Sequence, residues 1–193
     1  SIRKMLSREK QPPIDMVIQS NVVSKIATLL NLDNLFDHDN GESPAGLKLE
    51  YFDDEIYGVD SVAAEKLTRE QKLTDRQTFV YKIIFESAWI LTNICSGTSN
   101  QTIYVVNCDA DCLDNMIRLL ECPDKKVAEQ CVWCLGNIVG DGAKLRDRCL
   151  DSGVVPPLLN FFRRSEFHYW RNATWLLGNL CRNKNPNPTP IKY

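Results

Sequence analysis

The sequence predicts an all-α solenoid, and three observations carry that expectation. First, Ser87-Ala88-Trp89-Ile90-Leu91-Thr92-Asn93-Ile94, Cys131-Val132-Trp133-Cys134-Leu135-Gly136-Asn137-Ile138 and Ala173-Thr174-Trp175-Leu176-Leu177-Gly178-Asn179-Leu180 align without gaps. Second, their tryptophans stand 44 and 42 residues apart, and their asparagines repeat both intervals. A period of roughly 40–47 residues belongs to two- or three-helix units that bury their apolar faces only against neighbours. Third, each copy carries an apolar stripe at helical spacing.

The middle copy shows the stripe most clearly. Val127, Cys131, Cys134, Leu135 and Ile138 recur at i, i+4, i+7, i+8 and i+11, one face of a helix. Pro123 and Asp124 suit its first turn, and Gly140 and Gly142 its end. The equivalents are Ile83, Ser87, Ile90, Leu91 and Ile94, and then Tyr169, Ala173, Leu176, Leu177 and Leu180. A further apolar run precedes each such helix, at 23–30, 113–120 and 154–162. A short amphipathic segment comes before these runs, as at 143–150. There Asp151-Ser152-Gly153 makes a bend and Pro156-Pro157 opens the next helix. Three helices per unit with a right-angle bend after the first predict a right-handed armadillo superhelix rather than a HEAT array.

Residues 31–76 break the rhythm. They hold 12 acidic and 5 basic residues, net −7, whereas the whole chain of 193 residues sums to only −2. Asn40-Gly41 and Pro44-Ala45-Gly46 are chain breakers, and from Ser61 the composition favours helix. The expected organisation is therefore the end of a first repeat and the start of a second over 1–30, and an acidic, mostly loop insertion over 31–76. The rest of the second repeat, the third and most of the fourth follow over 77–187, then a connector over 188–193.

Composition excludes several classes. No basic block marks nucleic acid as a direct partner, no run of about 18 apolar residues could span a membrane, and no signal peptide opens the sequence. Ser1-Ile2-Arg3-Lys4-Met5-Leu6 reads as the inside of a helix, so a piece of a longer chain is expected. Several of the eight cysteines occupy apolar helix positions and are expected as buried free thiols. Cys131-x-x-Cys134 has a zinc-like spacing but lies in mid-helix without a second partnered pair, so no metal is expected. No nucleophile–base pair or phosphate-binding glycine loop points to an enzyme.

The tryptophans carry the functional signal. At about 100° per residue, Trp133 and Asn137 lie well round from the apolar stripe, as do Trp89 with Asn93 and Trp175 with Asn179. Packing between repeats is one explanation. The other is a ladder of indoles and carboxamides along the concave surface. Asn offers donors and an acceptor to the backbone of an extended peptide. Indoles one repeat apart form slots for Lys or Arg stems, each cation contributing on the order of 0.5–2 kcal/mol. Asp141, one turn beyond Asn137, could join the carbonyl of Gly97 and the hydroxyl of Thr102 in a lysine site.

Ser7-Arg8-Glu9-Lys10-Gln11-Pro12-Pro13-Ile14-Asp15, Phe85-Glu86-Ser87-Ala88-Trp89, Gly140-Asp141-Gly142, Arg171-Asn172-Ala173-Thr174-Trp175 and Asn179-Leu180-Cys181-Arg182-Asn183-Lys184-Asn185-Pro186 resemble importin-α (karyopherin-α). The resemblance covers 1–30 and 77–187. It implies an adaptor, shuttling between cytoplasm and nucleus, that holds basic nuclear localisation peptides without a cofactor. Trp89, Trp133 and Trp175 would wall the slots, and Asn93, Asn137 and Asn179 would clamp the peptide backbone. Asp141, Gly97 and Thr102 would hold the key lysine. Gln130 and Asn172 would add contacts, and Arg182 would border the far end. Importin-β and an export receptor would bind through segments absent from this chain. Departures from the family are the insertion, Cys95, Cys131 and Cys134 where alanine is usual, and Cys108-Asp109-Ala110-Asp111-Cys112 in place of a glycine bend. An armadillo scaffold of another kind, with a basic groove for acidic peptides, is the competing expectation.

Overall fold

The computed structural model of the chain describes residues 2–7, 12–31, 69–109, 111–182, 186–188 and 190, with the backbone alone over 69–76. All the regular elements described are helical, joined by turns. The first three are α1 (Ile2–Leu6), α2 (Ile14–Gln19) and α3 (Val22–Thr28). With α2 and α3, a 27-residue helix, α4 (Arg69–Cys95), makes a three-helix unit, α1 lying ahead of it. The next unit is α5 (Ser99–Asn107), α6 (Cys112–Arg118) with a 3-10 turn at Leu119–Glu121, and α7 (Lys125–Asp141). The last is α8 (Ala143–Asp151), α9 (Val155–Arg164), a 3-10 turn at Phe167–Tyr169 and α10 (Trp170–Leu180).

Local chemistry sets these boundaries. Thr98 and Gln101 form a reciprocal capping box at the start of α5, with the Gln101 side chain accepting from Thr98 N–H at 2.8 Å. Two orphan donors of the first turn are thereby satisfied. Asp124 caps α7 by accepting from Lys126 N–H at 2.9 Å and Val127 N–H at 3.2 Å. The bend between α8 and α9 needs a left-handed residue, and Gly153 supplies it at φ 76°, a conformation glycine adopts without a Cβ penalty. Pro156 and Pro157 fall in the first turn of α9, where a missing N–H costs nothing. At the equivalent bend before α6 there is no glycine. Asp109 Oδ1 accepts from Asp111 N–H at 3.0 Å and tightens the turn instead, a local side-chain substitute for a backbone bond.

α4, α7 and α10 pack side by side in that order, and they carry the tryptophans. Val127, Cys131, Cys134, Leu135 and Ile138 are buried as expected. In α4 the stripe is turned by about one residue. Val80, Ile84, Ala88, Leu91 and Ile94 are fully buried, while Ile83 and Ile90 are only half-buried. α4 is packed by α1, α3 and α5 as well as by α7, so several neighbours together set the direction of its buried face. Tyr169 and Leu177 are likewise only half-buried, whereas Ala173, Leu176 and Leu180 are in the core. Residues 69–76, which the composition assigned to the insertion, form the first turns of α4. Helix-favouring Glu70, Gln71, Lys72 and Leu73 account for that. The remainder of the insertion, 32–68, lies outside the described residues.

Arginines tie successive units together. Arg148 donates to Asn107 Oδ1 at 2.7 Å. Arg164 donates to the carbonyls of Cys122, at 2.8 Å, and Leu120. Arg146 is fully buried, pairs with Asp147 at 2.8 Å and donates to the carbonyls of Arg182 and Pro186. This pins the segment after α10 to α8. All eight cysteines are free thiols, with Cys181 exposed. Burial raises the thiol pKa of Cys122 to about 11 and that of Cys149 to about 12. Such thiols behave as small apolar side chains.

Candidate functional site

The exposed edge of the α4–α7–α10 layer collects the tryptophans. Trp133 and Trp175 are 42% and 39% exposed, and Trp89 is half-buried. Trp133 and Trp175, with Glu129, His168, Arg171 and Asn172, line an open cavity of about 580 Å³. Asn172 Nδ2 donates to Glu129 Oε1 at 3.2 Å. Burial raises the Glu129 carboxyl pKa, opposed by the Asn172 bond and by the nearby His168. The cavity therefore combines two indole walls with an acid that lacks full hydration, a setting suited to a cation with an apolar stem.

Gly136 explains how Trp175 lies where it does. A Cβ at Gly136 would come within 2.4 Å of the Trp175 ring, so only a residue with no side chain lets the indole rest on α7.

Two of the three asparagines bridge neighbouring helices. Asn137 Nδ2 donates to Thr92 O at 3.1 Å, and Asn179 Nδ2 donates to Gly136 O at 3.0 Å. Thr92 and Gly136 stand at equivalent repeat positions. Asn93 instead donates to Trp89 O in its own helix, at 3.0 Å. Each carboxamide thus commits one N–H inside the protein. Asn179 is 2% exposed, and its Oδ1 is buried without a hydrogen-bond partner. An orphan acceptor of this kind costs roughly 1–3 kcal/mol.

The residues expected around the lysine site are only partly brought together. Asp141, the last residue of α7, is exposed and its Oδ2 accepts from Ser99 Oγ at 2.8 Å. Gly97 is exposed in the α4–α5 turn, two residues before Ser99 opens α5. Thr102 is not on this surface. It is 1% exposed, and its hydroxyl bonds to the carbonyls of Cys95 and Thr98 at 3.2 and 3.3 Å. The cause is its place one turn into α5, where the hydroxyl meets the last carbonyl of α4, on Cys95, and that of its own helix cap, Thr98. Gln130 also turns inward. It is 6% exposed and donates to Thr92 Oγ1 at 2.8 Å, because its position on α7 faces α4. Arg182 is exposed just beyond α10, its carbonyl held by Arg146. Cys131 and Cys134 both face the core. Among the described residues, no cluster of three or more His, Cys, Asp or Glu is placed to hold a metal, and no helix is long and apolar enough to cross a membrane.

Ser99, Glu129, His168 and Arg171 join the site without having been singled out from the sequence. Glu129 and Trp133 are four residues apart, and His168, Arg171 and Trp175 follow at three and four. Reading outward-facing helical neighbours of each tryptophan would have found three of the four. Ser99 lies in a different helix and carries no such signal. At the other end, Arg3 of α1 stacks over the Trp89 ring at 4.6 Å and pairs with Glu86 at 2.8 Å. Phe85 meets Trp89 edge-on, with centroids 5.4 Å apart.

Residues 98–140, which run from the cap of α5 to near the end of α7, match the Armadillo/beta-catenin-like repeat family. A designed armadillo repeat protein shares the fold with a TM-score of 0.52 at 16% identity, covering 95% of this chain and 75% of that one. This is an armadillo-repeat chain. Importin subunit alpha-6 of Arabidopsis thaliana is 33% identical over 189 residues, which is 97% of this chain and 26% of that one. Importin subunit alpha-1b of Oryza sativa subsp. japonica is 33% identical over 192 residues, 98% of this chain and 27% of that one. Importin subunit alpha-3 of Caenorhabditis elegans is 51% identical over 107 residues, 55% of this chain and 20% of that one. The chain belongs to the importin-α family and spans about a quarter of the length of the plant relatives.

Proposed function

We propose that this chain holds lysine- and arginine-rich nuclear localisation peptides, in extended form, along the Trp89–Trp133–Trp175 edge. It would serve as the cargo-binding part of a nuclear import adaptor shuttling between cytoplasm and nucleus. The observation that carries the reading is the cavity between Trp133 and Trp175, with Glu129 and Asn172 beside the two indoles. Apolar walls take the methylene stem, and the carboxylate meets the charge. Asn93 and Asn137, which are half-buried, each keep an N–H for the peptide backbone. Asp141, with Ser99 bonded to it, is the second acidic point for a lysine. Importin-β and an export receptor would engage segments outside this chain, and no enzymatic step is part of the role.

Titrating fluorescent peptides into the chain tests this directly. A Lys-Lys-x-Lys/Arg peptide should bind, and binding should weaken as salt rises, because exposed charges are screened. A preference for the acidic counterpart would favour the scaffold alternative and overturn the reading.

A further inference from the structure

Cys108-Asp109-Ala110-Asp111-Cys112 connects α5 to α6, and peptide binding gives its two thiols no role. Cys108 is the C-terminal cap of α5, half-buried, with its Sγ donating to Val105 O at 3.1 Å. Cys112 is the first residue of α6 and fully buried. The turn between them is tight. Asp109 Oδ1 accepts from Asp111 N–H at 3.0 Å, and Asp109 O accepts from Cys112 N–H at 3.4 Å. The side chains meet, and the Cys112 thiol donates a hydrogen bond to the Cys108 sulfur. That bond holds the Cys108 thiol below its ordinary pKa, against burial and the Asp109 carboxylate, while the same bond and burial push Cys112 up. Cys95 and Cys134 also share a hydrogen bond, but they are 4% and 0% exposed. Of these two pairs, only Cys108–Cys112 has a member that solvent reaches.

We propose that Cys108 and Cys112 form a dithiol–disulfide site for small uncharged disulfides, with Cys108 as the attacking sulfur and Cys112 as the resolving one. The inference is independent of the peptide-binding reading. Cys108 first gives its proton to water, and its thiolate attacks one sulfur of the reagent. The reagent S–S bond breaks, a Cys108–reagent bond forms, and the other half leaves as a thiolate that takes up a proton. Cys112 then loses its proton and attacks the Cys108 sulfur, and the second half of the reagent leaves in the same way. The protein dithiol is oxidised by two electrons and the reagent is reduced by two, to two small thiols. Sulfurs already in hydrogen-bond contact need only a small shift of the bend to reach bonding distance, about 2.05 Å. Asp109 and Asp111 lie between the two cysteines, so an anionic reagent is disfavoured by like charge. The site lies at a seam between units, since Arg148 donates to Asn107 Oδ1, next to Cys108, at 2.7 Å.

The test treats the reduced, folded chain carrying Cys181→Ser, which removes the exposed thiol, with 2-hydroxyethyl disulfide. Acid quenches the reaction, and mass spectrometry maps the linkages. The product should be lighter by two hydrogen atoms, with Cys108 joined to Cys112. It should form at least about ten-fold faster than any adduct on the buried Cys95, Cys131 or Cys149. With Cys112→Ala added, the reaction should stop at a mixed disulfide on Cys108. With Cys108→Ala added, Cys112 should stay a thiol. A Cys108 adduct that never closes onto Cys112 in the Cys181→Ser chain would overturn the proposal. So would a different pairing, or a Cys108 that reacts no faster than the buried thiols. Should Cys112→Ala not fold, the Cys181→Ser chain alone decides, because the Cys108–Cys112 link is read there directly.

Discussion

Asn179 Nδ2 donates to Gly136 O at 3.0 Å, binding the third helix of one armadillo unit to the third helix of the unit before it. Asn137 makes the same bond to Thr92 O at 3.1 Å one unit earlier. The bond fixes the Asn137 carboxamide in place, and on the peptide-binding reading its second N–H would then be held ready for the ligand. Preorganisation of this kind lowers the ordering cost of binding.

Asn137→Ala should therefore weaken every bound peptide by a similar factor, whatever its side chains. Thr92 O also accepts from Ser96 N–H at 3.0 Å and stays satisfied in the variant. The stability loss should thus fall near the lower end of the roughly 0.5–1.5 kcal/mol typical of a hydrogen bond. Thermal denaturation alongside titration of two unrelated basic peptides measures both effects. A loss confined to one peptide would mean that Asn137 reads side chains.

Gly136→Ala should displace the Trp175 indole. Alanine gains about 1 kcal/mol of helix propensity over glycine, but its Cβ would lie 2.4 Å from the ring, and overpacking costs about 1–3 kcal/mol. The net stability change should be small or mildly unfavourable, with peptide affinity falling as far as it does in Trp175→Ala. Unaltered affinity would show that Trp175 can leave its seat without consequence for binding.

Peptide affinity should fall as pH drops. Burial raises the Glu129 pKa above its ordinary 4.5, so the empty cavity keeps a proton to a higher pH than a solvated carboxyl would. A bound lysine favours the ionised form, so binding expels that proton. Affinity accordingly rises with pH from the ordinary carboxylate range through the raised value, and is flat above it. The effect on folding has the opposite sign, because the folded chain holds this proton more tightly than the unfolded one. Glu129→Gln should flatten the binding curve above the ordinary carboxylate range. His168 faces the same cavity, and His168→Gln should retain the Glu129-dependent slope. A slope that survives in Glu129→Gln and vanishes in His168→Gln would assign it to the histidine.

Asp141 should read one lysine. Asp141→Lys ought to penalise a peptide with lysine at that point roughly ten-fold or more relative to alanine there, because a partly desolvated like-charge contact replaces an attractive one. Ser99→Ala should have a smaller effect of the same selectivity, since Ser99 donates to Asp141 Oδ2. Equal loss for lysine and alanine peptides in Asp141→Lys would place the lysine elsewhere.

Much of this architecture is written in local sequence. The 44- and 42-residue intervals fixed the unit, and Asp124, Gly153 and Pro156-Pro157 mark ends and bends that the structure reproduces. Less legible was which polar side chains face outward. Thr102 and Gln130 both look like groove residues along the chain, yet each is claimed by a carbonyl or hydroxyl of α4. Helical periodicity gives a residue's azimuth on its own helix, and does not say which face a neighbouring helix will cover. The Arg3 contact with Trp89 was hidden for the same reason, since the two residues are 86 apart. Burial on α4 departs from the expected stripe because α1, α3, α5 and α7 all pack on it.

The most direct measurement of the central claim is a double-mutant cycle on the Trp133–Trp175 slot, using Trp133→Ala and one basic peptide with lysine or alanine at the slot position. Circular dichroism should show Trp133→Ala nearly as helical as the wild type, since this indole is exposed rather than in the core. The account predicts a coupling of about 0.5–2 kcal/mol between Trp133 and the lysine, seen as a lysine preference that largely disappears in the variant. A lysine preference of the same size in both proteins, or a variant that unfolds, would contradict it and leave Trp133 as packing between repeats.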